Sequence, residues 1–476
     1  MDVAVIGAGI TGLTTALLLK RAGKSVAVVE SQRVGEGVTG YTTAKVTSQH
    51  GLIYRDLVDG FGEDGARTYG RSNEAAKEWI ARLVEDEGID CDFERRSHWV
   101  YTDDQDEVER IEAEANAAET LGLPASLVYD VPLPYPTLAG VRFDDQAQFH
   151  PRKYLLHLAR LIDGDGSYVF EDTRCTDVDE GDVCTVKTEA GELRATDVVV
   201  ASHFPFLDRG LFFAKIAPYR SYVLAAEVPA GDIPDGMFIS AGSPTRSLRS
   251  AVEKGKRLLL IGGEGHKAGQ ELDTEARYET LERWGSEWFD VESYRYRWSA
   301  QDNVATDKVP FIGRLRRTSK NLYVATGYGK WGMTNGTVAG MIVSDQILGR
   351  DNAWASLYDA QRINPKGQAK EFLSENLNVA QHFVGDRLNP PQVKSPDELE
   401  NGEGAIVVAN GRRAAAFRDG SGTLRTYSHV CTHLGCYVRW NPAEKSFDCP
   451  CHGSRFDHEG RVIQGPAVRD LPPRDL

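Results

Sequence analysis

The segment Val3-Ala4-Val5-Ile6-Gly7-Ala8-Gly9-Ile10-Thr11-Gly12 stands near the start of this chain of 476 residues. Its apolar run predicts a buried strand, and a helical pattern follows the glycines to about Ala22, with Gly23 as the stop. Residues 25–29 form a second apolar run that ends in Glu30. A strand, a glycine-rich turn, a helix and a second strand ending in an acid together predict a βαβ unit that binds a dinucleotide.

Each glycine of this turn has a separate physical role. Gly7 allows the tight turn, Gly9 lets a pyrophosphate approach the backbone, and Gly12 lets the helix pack closely on the strand. The helix N-terminus faces the phosphates, and Glu30 accepts hydrogen bonds from ribose hydroxyls. The predicted dinucleotide contacts are Gly7, Gly9, Ile10, Thr11, Gly12 and Glu30.

The choice between FAD and NAD depends on two further segments, because both cofactors share this fingerprint. Residues 35–51 follow the second strand as a Gly/Thr-rich loop whose amides and hydroxyls suit a flavin. Residues 321–327 predict a strand that enters the glycine-rich turn 328–336, and a helix follows over 337–348. The N-terminus of that helix would stabilise the negative charge of a reduced flavin. FAD is therefore the predicted cofactor, with further contacts at Thr42, Thr43, Gly327, Trp331, Gly332, Met333 and Thr334.

Three more boxes carry a family resemblance. They are residues 149–161, DVVVAS at 197–202 and TDKVPFIG at 306–313. With the βαβ unit, they make residues 1–350 similar to the D-amino-acid-oxidase-like flavoproteins, the superfamily of glycine and sarcosine oxidases. The resemblance implies that the flavin domain is discontinuous in sequence.

The resemblance also implies a division of the chain. The α/β, Rossmann-like FAD-binding domain would comprise residues 1–80, 145–212 and 301–350. An α+β substrate domain of mainly antiparallel sheet would comprise residues 81–144 and 213–300.

The substrate is the least determined part of this prediction. Amino-acid-oxidising relatives place an arginine shortly before the segment that matches residues 306–313 here, and this arginine makes a forked contact with the substrate carboxylate. The matching position here is Asp302, and a carboxylate cannot hold a carboxylate. An amine, an alcohol or another group is therefore favoured over an ordinary α-amino acid. Asp302 either contacts a cationic substrate or pairs with a neighbouring arginine such as Arg295.

The candidate catalytic residues are Lys330, Asp302 and Tyr222. Lys330 is also a candidate for tuning the flavin, as is His50, although both are equally compatible with a structural role. Arg220, Tyr222 and Trp298 are candidates for lining the substrate pocket, with simple packing as the alternative.

Two cysteine–histidine boxes lie near the C-terminus: Cys431-Thr432-His433-Leu434-Gly435-Cys436 and Cys449-Pro450-Cys451-His452-Gly453-Ser454. Each box has one Cys-His pair and one extra cysteine. This pattern is the ligand set of a Rieske-type [2Fe-2S] centre, in which two imidazoles replace two thiolates on one iron. A structural zinc site is the alternative, although zinc ribbons space their pairs evenly as C-x2-C.

The segment resembles the Rieske domains of cytochrome bc-type complexes. The predicted iron ligands are Cys431, His433, Cys449 and His452, with the histidines on the exposed iron and facing solvent. Cys436 and Cys451 are left over, one in each loop, and a disulfide between them is their most economical use.

Two further residues of this segment bear on the reduction potential of the cluster. In the Rieske family, the hydroxyl of Ser454 would donate to a cluster sulfide and raise the potential. Phe456 stands where relatives have a tyrosine, and the loss of its phenolic donor predicts a lower potential than in respiratory members.

Composition limits the remaining possibilities. The net charge is −15, which disfavours nucleic acid and anionic lipid because phosphate binding needs a basic face. The sequence lacks an apolar run of about 18 residues and a recognisable signal peptide, which predicts a cytoplasmic protein. Residues 351–393 predict a helical connector that ends at the linker Asn389-Pro390-Pro391, and residues 394–476 predict a small all-β Rieske domain.

The combined prediction is an FAD-dependent dehydrogenase with a built-in electron outlet. A small organic substrate gives a hydride to FAD, and electrons pass singly through the cluster to an external acceptor. A non-catalytic redox sensor or electron-transfer subunit, or a reductase with the opposite electron flow, is the alternative. A Rieske oxygenase is disfavoured because the eleven histidines offer no second iron site, and an NAD(P)H-ferredoxin-type reductase because a second full nucleotide fingerprint is missing.

Overall fold

The computed structural model describes residues 1–388 and 393–476, without the side chains of residues 365–370. The predicted linker Asn389-Pro390-Pro391 lies outside the described residues. The helices are α1 (Ile10–Arg21), α2 (Val38–Tyr41), α3 (Tyr54–Asp86), α4 (Val108–Thr120), α5 (Pro151–Ile162), α6 (Glu275–Trp288), α7 (Gly332–Ile347), α8 (Ala355–Tyr358) and α9 (Pro365–Leu388).

The strands belong to several sheets. They are β1 (Val3–Ile6), β2 (Val26–Val29), β3 (Lys45–Val46), β4 (Glu94–Thr102), β5 (Ala125–Val128), β6 (Ala139–Gln148), β7 (Tyr168–Phe170), β8 (Cys175–Asp179), β9 (Cys184–Thr188), β10 (Gly191–Ala195), β11 (Asp197–Val200), β12 (Ile216–Glu227), β13 (Met237–Ser240), β14 (Arg246–Glu253), β15 (Lys256–Lys267), β16 (Ser293–Ala305), β17 (Phe311–Arg314), β18 (Leu322–Thr326), β19 (Val393–Lys394), β20 (Gly404–Ala409), β21 (Arg412–Arg418), β22 (Leu424–Tyr427), β23 (Arg439–Asn441), β24 (Ser446–Asp448), β25 (Arg455–Asp457) and β26 (Val462–Gln464).

The first sheet has the order β17-β18-β11-β1-β2-β7 and is parallel except for its β17–β18 pair. Helices α1, α5 and α7 pack together on one face, and the small sheet β8–β10 lies on the other. Strands covered on both faces are apolar throughout, which is why β1 and β2 are continuous aliphatic runs. The glycine turn follows β1 and Glu30 follows β2, and these strands are parallel neighbours, so both features lie at the carboxyl edge of this sheet.

Helix α7 begins earlier than the sequence predicts. The glycines between 328 and 336 predict a turn before a helix at 337, but α7 starts at Gly332. Gly336 and Gly340 serve close packing on α1, because a Cβ on either would lie 2.7 Å from an Ile10 or Thr14 side-chain atom. The prediction was wrong here since glycines in a helix–helix contact resemble turn glycines in sequence.

The second sheet has the order β16-β12-β15-β14-β13-β4-β6-β3, with β5 paired to β6. Its pairs are antiparallel except β13–β4. Aromatic and aliphatic side chains on one face pack against α6. The sheet is thus the mainly antiparallel platform that the sequence predicts for the substrate domain.

Several elements run across the segment limits that the sequence predicts. Helix α3 continues through residue 80, β6 through 145 and β16 through 301. Strand β3, from the first flavin segment, joins the substrate sheet. The division into a flavin domain and a substrate domain remains a proposal. Its limits should lie at the ends of these elements and not within them.

The C-terminal part contains two small sheets, β19-β20-β21-β22 and β23-β24-β25-β26. A core around Trp440, Phe447 and Phe456 lies beneath the two cysteine–histidine loops. Helix α9 leads into this part and is joined to it by an ion pair of 2.7 Å between Asp386 and Arg439. Among the described helices, none has the length and apolar character that a bilayer crossing requires.

Candidate functional site

A cavity of about 1180 Å³ lies between the carboxyl edge of the first sheet and the second sheet. Sites for drug-sized ligands usually occupy about 300–1,000 Å³, so this cavity has room for a dinucleotide and a substrate. The predicted cofactor residues that line it are Gly7, Gly9, Ile10, Thr11, Glu30, Thr42, Thr43, Trp331, Gly332 and Met333. Gly12, Gly327 and Thr334, which the sequence also predicts as cofactor contacts, are not among the residues that line it.

The glycine turn has the close packing that a phosphate-binding turn requires. Gly7 has a φ of 104°, and a Cβ there would lie 2.5 Å from the carbonyl oxygen of Ala201. A Cβ on Gly12 would lie 1.9 Å from the Gly7 oxygen, so Gly12 supports the turn from beneath. Within the part of the chain that the structure describes, a Cβ on Gly9 would meet only the Thr39 hydroxyl, at 3.1 Å. Gly9 is thus the glycine whose missing side chain leaves space on the cavity side.

Glu30 braces the turn as well as facing the cavity. Its Oε2 accepts from the Ala8 amide at 2.7 Å, and its Oε1 accepts from the Gln32 amide at 3.0 Å. Oε1 also accepts from the Ser31 hydroxyl at 3.1 Å, so the further lone pair is on Oε2, to which a ribose hydroxyl can still donate.

The second turn brings Trp331 and His50 together. Their rings stack with centroids 5.0 Å apart. The His50 Nε2 donates to the Thr47 carbonyl at 2.8 Å, and its Nδ1 accepts from the Tyr69 hydroxyl at 2.6 Å. Burial lowers the pKa of His50 to about 3, so the ring is neutral and supports Trp331 from behind. Of its two predicted roles, the structural one fits this position.

The three predicted catalytic residues all line the cavity. Tyr222 lies 2.9 Å from His266 Nε2, and since His266 Nδ1 donates to the Lys267 carbonyl, the tyrosine is the donor. Lys330 projects into the cavity; the surrounding protein lowers its pKa, and the charge of Asp302 offsets part of that effect. The Lys330 amine and the Asp302 carboxylate therefore face the same space, whereas the Tyr222 side chain is fully buried, with its hydroxyl held by His266.

The predicted pairing of Asp302 with Arg295 was wrong. Asp302 accepts from the Asn303 amide at 2.7 Å, and its Oδ1 lies 3.4 Å from His203 Nε2. Arg295 lies 3.8 Å from Glu227 instead. Asp302 lies seven positions after Arg295 on the same strand, which is a distance of about 23 Å along the strand at about 3.3 Å per residue. The two side chains therefore cannot meet.

The pocket candidates Arg220 and Trp298 also line the cavity. Arg220 is buried and donates to the Ser299 hydroxyl at 2.5 Å and to Gln301 Oε1 at 3.1 Å. Trp298 donates its indole N–H to the Tyr41 carbonyl at 2.8 Å. Both side chains thus have structural partners as well as a face on the cavity.

The sequence reasoning missed Lys45, a buried lysine in the cavity wall. Its Nζ donates to the Ser247 hydroxyl at 2.5 Å. Burial, and then the charge of Arg249, lowers the pKa of Lys45 to about 7. Its position between Ala44 and Val46 in the predicted flavin-wrapping loop was a signal that could have identified it.

The two cysteine–histidine loops form one compact centre. Cys431 and Cys449 are buried, and the Cys449 thiol donates to Cys431, which lowers the pKa of the Cys431 thiol. The rings of His433 and His452 lie 5.1 Å apart and perpendicular. A disulfide joins Cys436 to Cys451.

The histidine ring nitrogens fit a cluster between the loops. Nδ1 of His433 and Nδ1 of His452 are buried and have no hydrogen-bond partner within the described residues. A buried nitrogen without a partner is costly unless it binds something. Two thiols and two such nitrogens form the donor set of a Rieske centre. The thiols of Cys436, Cys449 and Cys451 also lie close together, but the disulfide removes two of them as ligands.

A serine on the second loop supports the same centre. The buried Ser454 hydroxyl makes a hydrogen bond with the Cys431 sulfur and accepts from the Ala467 amide at 3.0 Å. Ala467 also lines the cavity, together with its neighbours Gly465 and Val468. Ser454 therefore couples Ala467 to a predicted cluster ligand.

The predicted exposure of the two histidines to solvent was wrong. The His433 side chain is 4% exposed, and His452 is 4% exposed. They point into the interface with the first domain, where Phe204 and Phe213 lie edge-on to the rings. The prediction treated the C-terminal domain as free, whereas its histidine face is the docking face.

The C-terminal domain also forms part of the cavity wall. Glu444, Arg455 and residues 463–465, 467 and 468 line the cavity. Gln32 donates to the Ile463 carbonyl at 3.2 Å, and Arg174 donates to the Val462 carbonyl at 2.7 Å. The C-terminal domain therefore contributes to the cavity wall beside its cluster loops.

Comparisons with known proteins match two parts of the chain to two families. Residues 2–346 match the protein family described as FAD dependent oxidoreductase, and residues 389–473 match the Rieske [2Fe-2S] domain. The chain is 39% identical over 477 aligned residues to the putative Rieske 2Fe-2S iron-sulfur protein YhfW of Bacillus subtilis (strain 168). That alignment covers 100% of this chain and 93% of that protein.

Solved structures share the fold of the first part. Glycine oxidase from Geobacillus kaustophilus aligns with a TM-score of 0.65 at 16% identity, covering 76% of this chain and 98% of that one. L-Proline dehydrogenase from P. horikoshii aligns with a TM-score of 0.63 at 19% identity, covering 76% of this chain and 97% of that one. At such identities the likeness extends to the fold alone.

Proposed function

Because the chain belongs to the FAD dependent oxidoreductase family and carries a Rieske [2Fe-2S] domain, we propose that it is a dehydrogenase that oxidises a small organic molecule. Its electrons leave one at a time through the cluster to an external acceptor. FAD supplies the conversion between two-electron and one-electron chemistry, and the cluster carries single electrons.

The orientation of the C-terminal domain is the main observation that supports this proposal. In this chain the imidazoles of His433 and His452 are buried against the flavin domain. Phe204 both lines the cavity and lies edge-on to the two rings, at centroid distances of 6.5 and 6.3 Å. A single side chain thus spans the space between cavity and cluster loops, which supports electron transfer within one molecule.

Residues of the chain have distinct proposed tasks at the cavity. The turn at Gly7 and Gly9, with Glu30, holds the dinucleotide end of FAD. The N-terminus of α7 lies where the flavin ring is expected, and its amides favour negative charge there. At the other end, Asp302 and Lys330 face the substrate, and the C-terminal domain forms part of the cavity wall.

Asp302 supports an amine or alcohol as the substrate class. It lies in the cavity wall beside His203, at the position where amino-acid-oxidising relatives are expected to have an arginine. A carboxylate there repels a substrate carboxylate and attracts an ammonium group.

An anaerobic substrate screen tests the proposal. Holoprotein is mixed with amines, amino acids, hydroxy acids, alcohols and NAD(P)H, and flavin absorbance is recorded with the cluster spectrum. We expect bleaching of the flavin by an amine or alcohol, followed by the spectrum of the reduced cluster. Asp302→Asn should slow bleaching, whereas Asp165→Asn, at an exposed side chain that does not line the cavity, should not. Bleaching by NAD(P)H alone would instead support a reductase, and a flavin inert to every class would support a sensor or electron-transfer subunit.

A further inference from the structure

One carboxylate of the flavin domain lies directly against a predicted iron ligand. Asp208, in the short turn Asp208–Gly210, places its Oδ1 3.0 Å from the Nε2 of His433. The residues are 225 positions apart in sequence and belong to different domains. The contact therefore exists only when the Rieske domain is docked.

The ring nitrogens of His433 define the direction of this hydrogen bond. Nδ1 is the buried nitrogen without a partner, so it is the one free to bind iron. Nε2 is then the protonated nitrogen and donates to the carboxylate, as is common for metal-bound histidines. Asp208 thus makes a hydrogen bond to the cluster through one of its ligands.

The surroundings let the charge of Asp208 act on the cluster. The His433 side chain is 4% exposed, and Phe204 and Phe213 exclude water from the histidine face. Asp208 itself is 42% exposed, so solvent screens part of its charge. The neighbouring cation Arg209 is turned to Asp177, 3.0 Å away, and does not pair with Asp208.

We propose that Asp208 sets the reduction potential of the cluster from outside the Rieske domain, so that docking itself lowers the potential. With both groups bound, the flavin would supply the cluster with one electron, and no bond would be made or broken. The carboxylate opposes the added negative charge, while its hydrogen bond stabilises the more positive oxidised centre. The docked cluster then passes its electron on instead of retaining it.

This proposal deepens the proposed function but is tested without any organic substrate. The full-length holoprotein is reduced with dithionite and mediators at one fixed pH, and the Rieske EPR signal is followed against the applied potential. Asp208→Asn removes the charge and keeps an oxygen that can accept from Nε2. We expect the equilibrium constant for cluster reduction to rise about tenfold, which is about 59 mV for a one-electron couple.

A matched variant controls for net charge. Asp182→Asn removes one charge from the same domain at a side chain that is 99% exposed, and it should leave the potential unchanged. An unchanged potential in Asp208→Asn, with the EPR signal and flavin absorbance intact, would overturn the proposal. An equal shift in both variants would overturn it too, because it would show a general charge effect. A flavin that no substrate bleaches would count against the dehydrogenase, not against this result.

Discussion

The side-chain amide of Gln301 donates to the backbone carbonyl of Gly453 at 2.9 Å. Gln301 lies on β16 in the cavity wall, and Gly453 lies in the second cluster loop, between His452 and Ser454. Arg220 donates to the oxygen of the same amide, which fixes its orientation. The substrate sheet therefore holds the cluster loop directly.

A side chain at Gly453 should displace the Rieske domain. Gly453 has a φ of 72°, and a Cβ there would lie 2.4 Å from Gln301 Nε2 and 2.8 Å from Pro218 Cβ. Overpacking of this kind costs about 1–3 kcal/mol, and here the cost destabilises the docked position of the Rieske domain. Because electron transfer needs the docked position, Gly453→Ala should slow flavin-to-cluster electron transfer by about tenfold or more. The measurement is flash photoreduction of the flavin with absorbance detection of the cluster.

Gly435→Ala is the matched control for that variant. Gly435 has a similar φ of 76° in the first cluster loop, but among the described residues a Cβ there would have only Arg387, at 4.0 Å, as a neighbour. It carries the same backbone strain without the collision and should keep the native transfer rate. Equal slowing in both variants would show that loop strain, not docking, controls the rate.

Replacing Cys449 should remove the cluster and leave the flavin. Cys449 is a buried predicted iron ligand in the core beneath the loops, separated from the glycine turn that is proposed to hold FAD. Cys449→Ser should abolish the Rieske EPR signal while flavin absorbance remains. Cys184→Ser, in the flavin domain, should retain both signals because a serine there can still donate to Asn321. Loss of flavin from Cys449→Ser would contradict the separation of the two sites.

A methyl group at Gly9 should weaken FAD binding without unfolding the chain. The added Cβ would occupy the cavity side of the turn and lie 3.1 Å from the Thr39 hydroxyl, so it displaces the pyrophosphate and little else. We expect Gly9→Ala to lower flavin affinity at least about tenfold, which is about 1.4 kcal/mol. Gly231→Ala, with open space around the added Cβ, should leave flavin affinity unchanged. Native flavin retention in Gly9→Ala, measured by ultrafiltration, would remove Gly9 from the binding site.

Lys45 should make stability depend on pH above neutrality. Its pKa is lowered by burial to about 7, whereas an unfolded chain has a lysine pKa near 10.4. Between these values the unfolded state binds more protons, so the contribution of Lys45 to stability rises with pH, by at most about 1.4 kcal/mol per unit. Lys45→Met should thus gain melting temperature relative to wild type at pH 6.5 and lose this advantage by pH 9. A difference in melting temperature that is constant across this range would contradict a lowered pKa.

The sequence predicted the parts of this protein whose chemistry is local. The glycines from Gly7 to Gly12 all belong to one turn, and the residues of each cysteine–histidine box belong to one loop. Their spacing in the sequence is therefore enough to predict their chemistry. The family matches confirm the flavoprotein and Rieske resemblance, and the fold class predicted from it is confirmed by the structural comparisons. The spare cysteines Cys436 and Cys451 are joined as their number suggested.

Relations between distant segments were not predictable in the same way. Phe204 and Asp208 follow β11 in a segment without helical or strand periodicity, so nothing in their spacing indicates contact with residues 433 and 452. The burial of the two histidines follows from that contact. The contact of Asp302 with His203 could not be predicted either, because the two residues are 99 positions apart.

The central claim is that flavin and cluster exchange electrons within one chain. It is tested most directly by anaerobic flash photoreduction of the flavin in the holoprotein, with flavin and cluster absorbance recorded together over a series of dilutions. We predict that the cluster becomes reduced as the flavin is reoxidised, with a rate constant independent of protein concentration. A rate that falls in proportion to dilution, or a flavin that stays reduced beside an oxidised cluster, would contradict the claim.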